Sequence, residues 1–238
     1  MKRRRKIVRT RRTVTGLLLV ASISFIAGMT DAVGLMLTGN FVSFMTGNTT
    51  RAAIAIGEAD FGHAATLLTA IFLFVAGNAL GIIVAHKTDR RAFAVLCSVG
   101  ILIGIASMLP VPGLLFLQFH LVALAMGMIN AAVEHIEGLP IGLTYVTGAL
   151  SRFGRGIGRF LMGDRDFAWR IQIVPWLGMI LGASLGALLV GAVGTRALWV
   201  VSLLCLCAAL ATIFIPRPLR RRFNQNLALA RAASRQQD

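Results

Sequence analysis

Two short polar stretches, Thr46-Gly47-Asn48-Thr49-Thr50-Arg51 and Thr147-Gly148-Ala149-Leu150-Ser151-Arg152, interrupt a chain that is otherwise mostly apolar. Polar, glycine-containing sequence at membrane depth is costly unless it is buried in protein or lines a cavity. Thr46, Thr49, Tyr145 and Thr147 offer hydroxyls there, Asn48 offers an amide, and Gly47 and Gly148 let the backbone turn. Such groups can touch a polar solute, and the N-termini of broken helices attract anions. The competing reading is that these side chains satisfy the backbone groups freed by their own helix breaks.

Asp31 is the second candidate. It stands in the far half of the first apolar segment, where a charged carboxylate costs about 2.5–3.5 kcal/mol. A partner, a proton or water would relieve that cost. Asp31 therefore reads either as a proton- or cation-coupling group or solute ligand, or as a cap for nearby helix N-termini. Asn40, Asn78 and Asn130 are further buried-amide candidates, for which an interhelical hydrogen bond is the ordinary use.

The elements that must hold these residues follow from composition. The chain has 238 residues, 57% of them hydrophobic and 14% charged, with a mean hydropathy of +0.79. Soluble domains carry about 25% charged residues. Apolar runs long enough for helices, without strand-like alternation, give an all-α integral membrane protein. Six strong apolar segments lie at about 15–37, 65–86, 92–109, 114–134, 172–194 and 197–215, and two weaker ones at about 41–57 and 140–160. The weaker pair reads as half-length or re-entrant segments entering from opposite faces.

The formal net charge is +15. The basic residues flank apolar segments, so they indicate topology and contact with anionic lipid rather than nucleic acid. If only the six strong segments cross, all of the 24 Lys and Arg except Arg51 and Arg196 fall on one side. The positive-inside rule then places both termini in the cytoplasm of a bacterial inner membrane. The expected organisation is a basic tail 1–13, membrane repeat one 14–109, membrane repeat two 110–215 and a basic tail 216–238, forming one membrane domain. Trp169, Trp176 and Trp199 mark interfaces. Cys97, Cys205 and Cys207 lie in apolar segments and read as packing residues.

Shifting the chain by 99 residues brings Gly28-Met29 onto Gly127-Met128 and Asp31-Ala32 onto Asn130-Ala131. Two further residues bring Thr46-Gly47 onto Thr147-Gly148, and Gly77-Asn78-Ala79-Leu80-Gly81 matches Gly182-Ala183-Ser184-Leu185-Gly186. Three spans per copy is an odd number, so the second copy enters the membrane inverted. That is a recurring transporter plan, with binding sites at interrupted segments in corresponding places. The expectation is that both Thr-Gly segments face a shared polar hollow.

Ala27-Gly28-Met29-Thr30-Asp31-Ala32-Val33-Gly34 with Phe41-Val42-Ser43-Phe44-Met45-Thr46-Gly47-Asn48-Thr49 resembles the N-terminal signature of the YoaK-like family of bacterial multi-pass membrane proteins. Ile129-Asn130-Ala131-Ala132 and Thr144-Tyr145-Val146-Thr147-Gly148 resemble its second signature. The resemblance implies a membrane protein and carries no substrate or activity.

Gly77/Gly81 and Gly178/Gly182/Gly186 have the four-residue spacing of close helix contacts. Glu134, His135 and Glu137 read as interfacial polar residues, and Arg152, Arg155 and Arg159 as a basic helix edge at the lipid headgroups. Hydrolase, nucleotide-binding and metalloenzyme motifs do not occur, so no enzyme, cofactor or metal is expected. The leading expectation is a secondary transporter of a small polar or anionic metabolite, coupled through Asp31. The alternatives are a passive channel, with a homodimer through the Gly-x-x-x-Gly faces left open, and a structural membrane protein.

Overall fold

The computed structural model describes residues 2–88, 90–109, 114–132, 135–136, 139–140 and 146–215, with side chains from Val14 onward except at 135–136, 139–140 and 168. Eight helices account for most of these: α1 Lys2–Thr38, α2 Met45–Gly57, α3 Phe61–His86, α4 Arg91–Ser107, α5 Leu115–Ile129, α6 Val146–Leu161, α7 Ile173–Val193 and α8 Ala197–Ile213. Each of the six strong apolar segments coincides with one helix, and the two weaker ones hold α2 and α6. A two-residue antiparallel pair, β1 His135–Ile136 and β2 Leu139–Pro140, is the one strand feature among the described residues. Tyr145, Glu134, Glu137 and the tail 216–238 lie outside them.

Four stretches are long and apolar enough to cross a membrane: Val14–Thr38, Phe61–His86, Leu115–Ala132 and Trp169–Ile213, with Arg91–Ser107 a shorter apolar helix. The last stretch is not one rod. Gly194 has φ +59°, a backbone region that glycine enters without a Cβ penalty, and the chain reverses there. Leu204, Cys207, Ala208 and Ala211 of α8 consequently stand beside Val174, Leu177, Gly178 and Leu181 of α7 around an apolar groove. α7 and α8 are antiparallel helices of 21 and 17 residues. At 1.5 Å per residue they reach about 32 and 26 Å.

Lipid gives helices no hydrophobic reason to associate, so close backbone contact must do that work. Glycine supplies it here. A Cβ at Gly178 would stand 2.7 Å from the Ala21 carbonyl oxygen and one at Gly186 2.7 Å from that of Met29, and Gly182 lies directly against the Phe25 carbonyl. Rising numbers meet rising numbers, so α1 and α7 run parallel. Gly77 lies against Leu124 and Gly81 against Met128 in the same sense, so α3 and α5 are parallel too. Gly100 meets Cys205 and Leu206 while Gly104 meets Ser202, which makes α4 and α8 antiparallel. Ser202 Oγ donates to the Gly100 carbonyl at 2.7 Å across that pair. The glycine faces that could have served a homodimer are thus occupied within the chain.

Between these pairs lies the core, including Ile23, Met29, Val33, Leu96, Ile103, Met126 and Ile129, all fully buried. The outward surface stays apolar: Phe72 and Leu188 are about 70% exposed, at 70% and 71%, as helices facing lipid require. Cys205 is buried, Cys97 half-buried, and Cys207 exposed on the α7–α8 groove.

Candidate functional site

Asp31 is buried near the end of α1. After Thr38 the chain turns at Gly39 (φ +73°) and residues 39–44 fold back over α1. Val42 and Ser43 each donate a backbone N–H to Asp31 Oδ1 at 2.9 Å. The carboxylate therefore replaces the helix that this segment does not form. Val42 seats against Gly34, where a Cβ would stand 2.6 Å from Val42 Cγ1.

The same segment is clamped from its other side. Asn48 in the first turn of α2 is fully buried. Its Nδ2 donates to the Phe41 carbonyl at 2.6 Å, and the Phe41 N–H donates to its Oδ1 at 3.2 Å. One side-chain amide thus pairs with both backbone groups of one residue, Phe41. The Arg51 guanidinium donates to the Gly39 carbonyl. Asn40 Nδ2 donates to the Thr38 carbonyl at 3.3 Å, while its buried Oδ1 has no partner among the described residues.

Asp31, Asn40 and Asn48 therefore come together, and Gly47 packs on the Phe41 ring. Thr46 and Thr49 do not join them. Both are exposed, and the Thr49 hydroxyl donates to the Met45 carbonyl of its own helix at 2.8 Å. Asn48→Leu is expected to lower the midpoint of thermal unfolding in detergent by several degrees, since it strands the N–H and the carbonyl of Phe41 at about 1–3 kcal/mol per lost partner. Thr49→Val should leave the midpoint unchanged.

The second Thr-Gly segment is elsewhere. Thr147 is exposed and Gly148 half-buried in the first turn of α6, which packs on α7 and on the 3₁₀ turn Ala168–Gln172 that precedes it. The α1–α7 register sets Ile173 level with Gly16 of α1, and Arg152 of α6 bonds Gln172 just before it, whereas residues 42 and 43 bond Asp31, further along α1. From the level of Gly16 to Asp31 is about 15 helical residues, roughly 22 Å. The expected meeting of both segments at a shared hollow is thus corrected: residues 39–44 close on α1 and α2, while α6 packs on α7 and the turn before it, toward the other end of α1. Asn130, the counterpart of Asp31, ends α5 half-buried.

Sequence reading missed two polar residues near the α2 end. Gln118 is buried and its Nε2 donates to the Ala106 carbonyl at 2.9 Å, fastening α5 to the last turn of α4. His120, also buried, sets Nδ1 2.6 Å from the Phe116 carbonyl and Nε2 3.2 Å from the Thr66 carbonyl of α3. The available signal was their polarity within an apolar run. Among the described residues no cluster of three His, Cys, Asp or Glu could hold a metal ion.

A family described as "Protein of unknown function (DUF1275)" matches residues 19–211, which spans α1 through α8. The chain belongs to this family. The "UPF0700 transmembrane protein RA0705" of Rhizobium meliloti (strain 1021) is 51% identical over 226 residues, covering 95% of this chain and 99% of that protein. No solved structure matches. The resemblance read from the Gly-Met-Thr-Asp and Thr-Gly stretches is borne out as far as a membrane family of unknown function, and this DUF1275 member is a transmembrane protein.

Proposed function

We propose that the chain is a secondary transporter for a small polar or anionic solute in a bacterial cytoplasmic membrane. In this reading six helices cross as two inverted repeats, α1–α4 and α5–α8, with both termini inside. One observation carries it. The contacts of the two parallel helix pairs are equivalent residue by residue under the alignment of the two halves. Gly182 rests on the Phe25 carbonyl as Gly77 rests on that of Leu124. Gly186 meets Met29 as Gly81 meets Met128, and Gly28 meets Met179 as Gly127 meets Phe74. α4 and α8, equivalent to each other, pair antiparallel, as a two-fold axis in the membrane plane demands.

The pairing also defines the moving parts. Each parallel pair takes one helix from each repeat, so the rigid bodies are not the sequence halves. One body is α1 with α7 and α6, the other α3 with α5 and α2, and α4–α8 lies on the axis between them. Alternating access is a rocking of these two bodies. Asp31 belongs to the first body and the 39–44 segment leads into the second, so their hydrogen bonds tie the bodies together at the outer end. Asp31 is the coupling group: a proton or cation that engages its carboxylate competes with the two N–H donors and loosens that tie. Asn130 cannot titrate, so the inner end lacks such control.

Full-length protein reconstituted in liposomes, with a panel of polar metabolites offered under an imposed proton or sodium gradient, tests the reading. Saturable, gradient-driven accumulation of a panel member is the expected result. Fast, unsaturable, voltage-driven flux, or no flux above protein-free liposomes, would overturn it.

A further inference from the structure

The α6 end of the bundle carries a pocket that the transport reading does not use. It has a volume of about 310 Å³ and is lined by Arg152, Arg155, Arg159, Asp164, Asp166, Trp169 and Gln172. Spacings of three and four residues put the three arginines on one face of α6. Arg152 is held there, its Nε donating to Oε1 of the buried Gln172 at 2.9 Å. Arg155 and Arg159 are exposed and make no hydrogen bond or ion pair with the described residues.

Trp169 forms the floor. Its ring packs edge-on against Phe153 at 5.3 Å and against Phe160 at 6.3 Å. α6 admits it only because residue 156 is glycine: a Cβ there would occupy the space of Trp169 Cβ and Cγ. The indole Nε1 is buried and has no acceptor among the described residues. A buried N–H left unpaired costs about 1–3 kcal/mol; the residue lines the cavity, while its Nε1 lies beneath the cavity surface.

We propose that this pocket binds a phosphate group on a small hydroxylated carrier. Guanidinium forks match phosphate oxygens in pairs of hydrogen bonds, and Trp169 lines the pocket beside them. The volume exceeds that of a bare phosphate, and Asp164, which also lines the pocket, can accept from hydroxyl donors on the rest of the ligand. Asp164 is itself steadied by the Asp166 N–H, which donates to its Oδ1 at 2.9 Å. The phosphate can come from a soluble phosphorylated metabolite or from the headgroup of an anionic phospholipid, because the pocket lies beside the start of α7, at the end of the apolar bundle. The proposal stands whether or not the chain carries solutes.

The test uses full-length protein with Trp169 as its single tryptophan (Trp176→Phe, Trp199→Phe) in lipid nanodiscs. In phosphatidylcholine discs, where choline compensates the headgroup phosphate, glycerol phosphate is titrated at constant ionic strength. In parallel, discs containing phosphatidylglycerol are compared without added phosphate. A saturable change in Trp169 emission with glycerol phosphate identifies a soluble ligand, and a change with phosphatidylglycerol alone identifies a lipid. Both arms support the site, provided that Arg155→Gln with Arg159→Gln weakens the response at least tenfold while circular dichroism stays unchanged. No emission change in either arm, an equal change with chloride, or full retention by the double variant would overturn it.

Discussion

Asp31→Ala is expected to unfold at a markedly lower temperature than the unaltered protein and to lose all gradient-driven accumulation. The substitution leaves the Val42 and Ser43 N–H groups, both now bonded to Asp31 Oδ1 at 2.9 Å, buried without an acceptor. At about 1–3 kcal/mol for each stranded donor, the loss is on the order of 2–6 kcal/mol. Asp31→Asn separates the two roles. Its carbonyl oxygen can still accept both hydrogen bonds, so the fold should lose only about 1 kcal/mol, the difference between a charged and a neutral acceptor. It cannot exchange a proton or hold a cation by charge, so solute exchange should persist while accumulation against a gradient disappears. Thermal unfolding and counterflow on the same preparations measure both quantities. An Asp31→Ala protein as stable as its parent would remove the tie between α1 and residues 39–44, and undiminished accumulation by Asp31→Asn would remove the coupling role.

The positions of the helices were legible in the sequence because each of the six strongly apolar segments holds one helix, and α2 and α6 stood out by their polarity. The proposed internal repeat was read from its glycines, which cannot be exchanged where backbones touch. What Asp31 bonds to was not legible. Its partners are backbone N–H groups 11 and 12 residues away, and a peptide group leaves no trace in residue type. The pairing of α1 with α7 and of α3 with α5 was hidden for a related reason. Four-residue glycine spacing announces a close contact without naming the helix on the other side. Thr49 misled because a hydroxyl that bonds its own helix carbonyl looks, in sequence, the same as one that awaits a solute. The basic edge of α6 was visible, but the pocket needed Trp169 and Gln172, which the loop after α6 brings back from beyond Gly163.

Gly182→Ala and Gly77→Ala should damage the protein equally, and this equality is the sharper test of the repeat. At either position a Cβ would fall on a backbone carbonyl of the partner helix, that of Phe25 or of Leu124. Backbone cannot move aside as a flexible side chain can, so the helices must part and surrender their neighbouring contacts. Overpacking of this kind costs about 1–3 kcal/mol, and in lipid no hydrophobic term draws the separated helices back. The two sites share no partner residue, so the double variant should lose the sum of the single losses. Gly191→Ala is the control on the same helix as Gly182. Nothing lies within 4 Å of its added Cβ, and alanine's helix preference over glycine, about 1 kcal/mol, should make that protein as stable as the parent or slightly more so. Unfolding midpoints in detergent would show the pattern. If Gly182→Ala alone were damaging, the two halves would not be packed as equivalents, and the proposed two-fold axis through α4 and α8 would go with it. If neither were damaging, the close approach of the parallel pairs would itself be wrong.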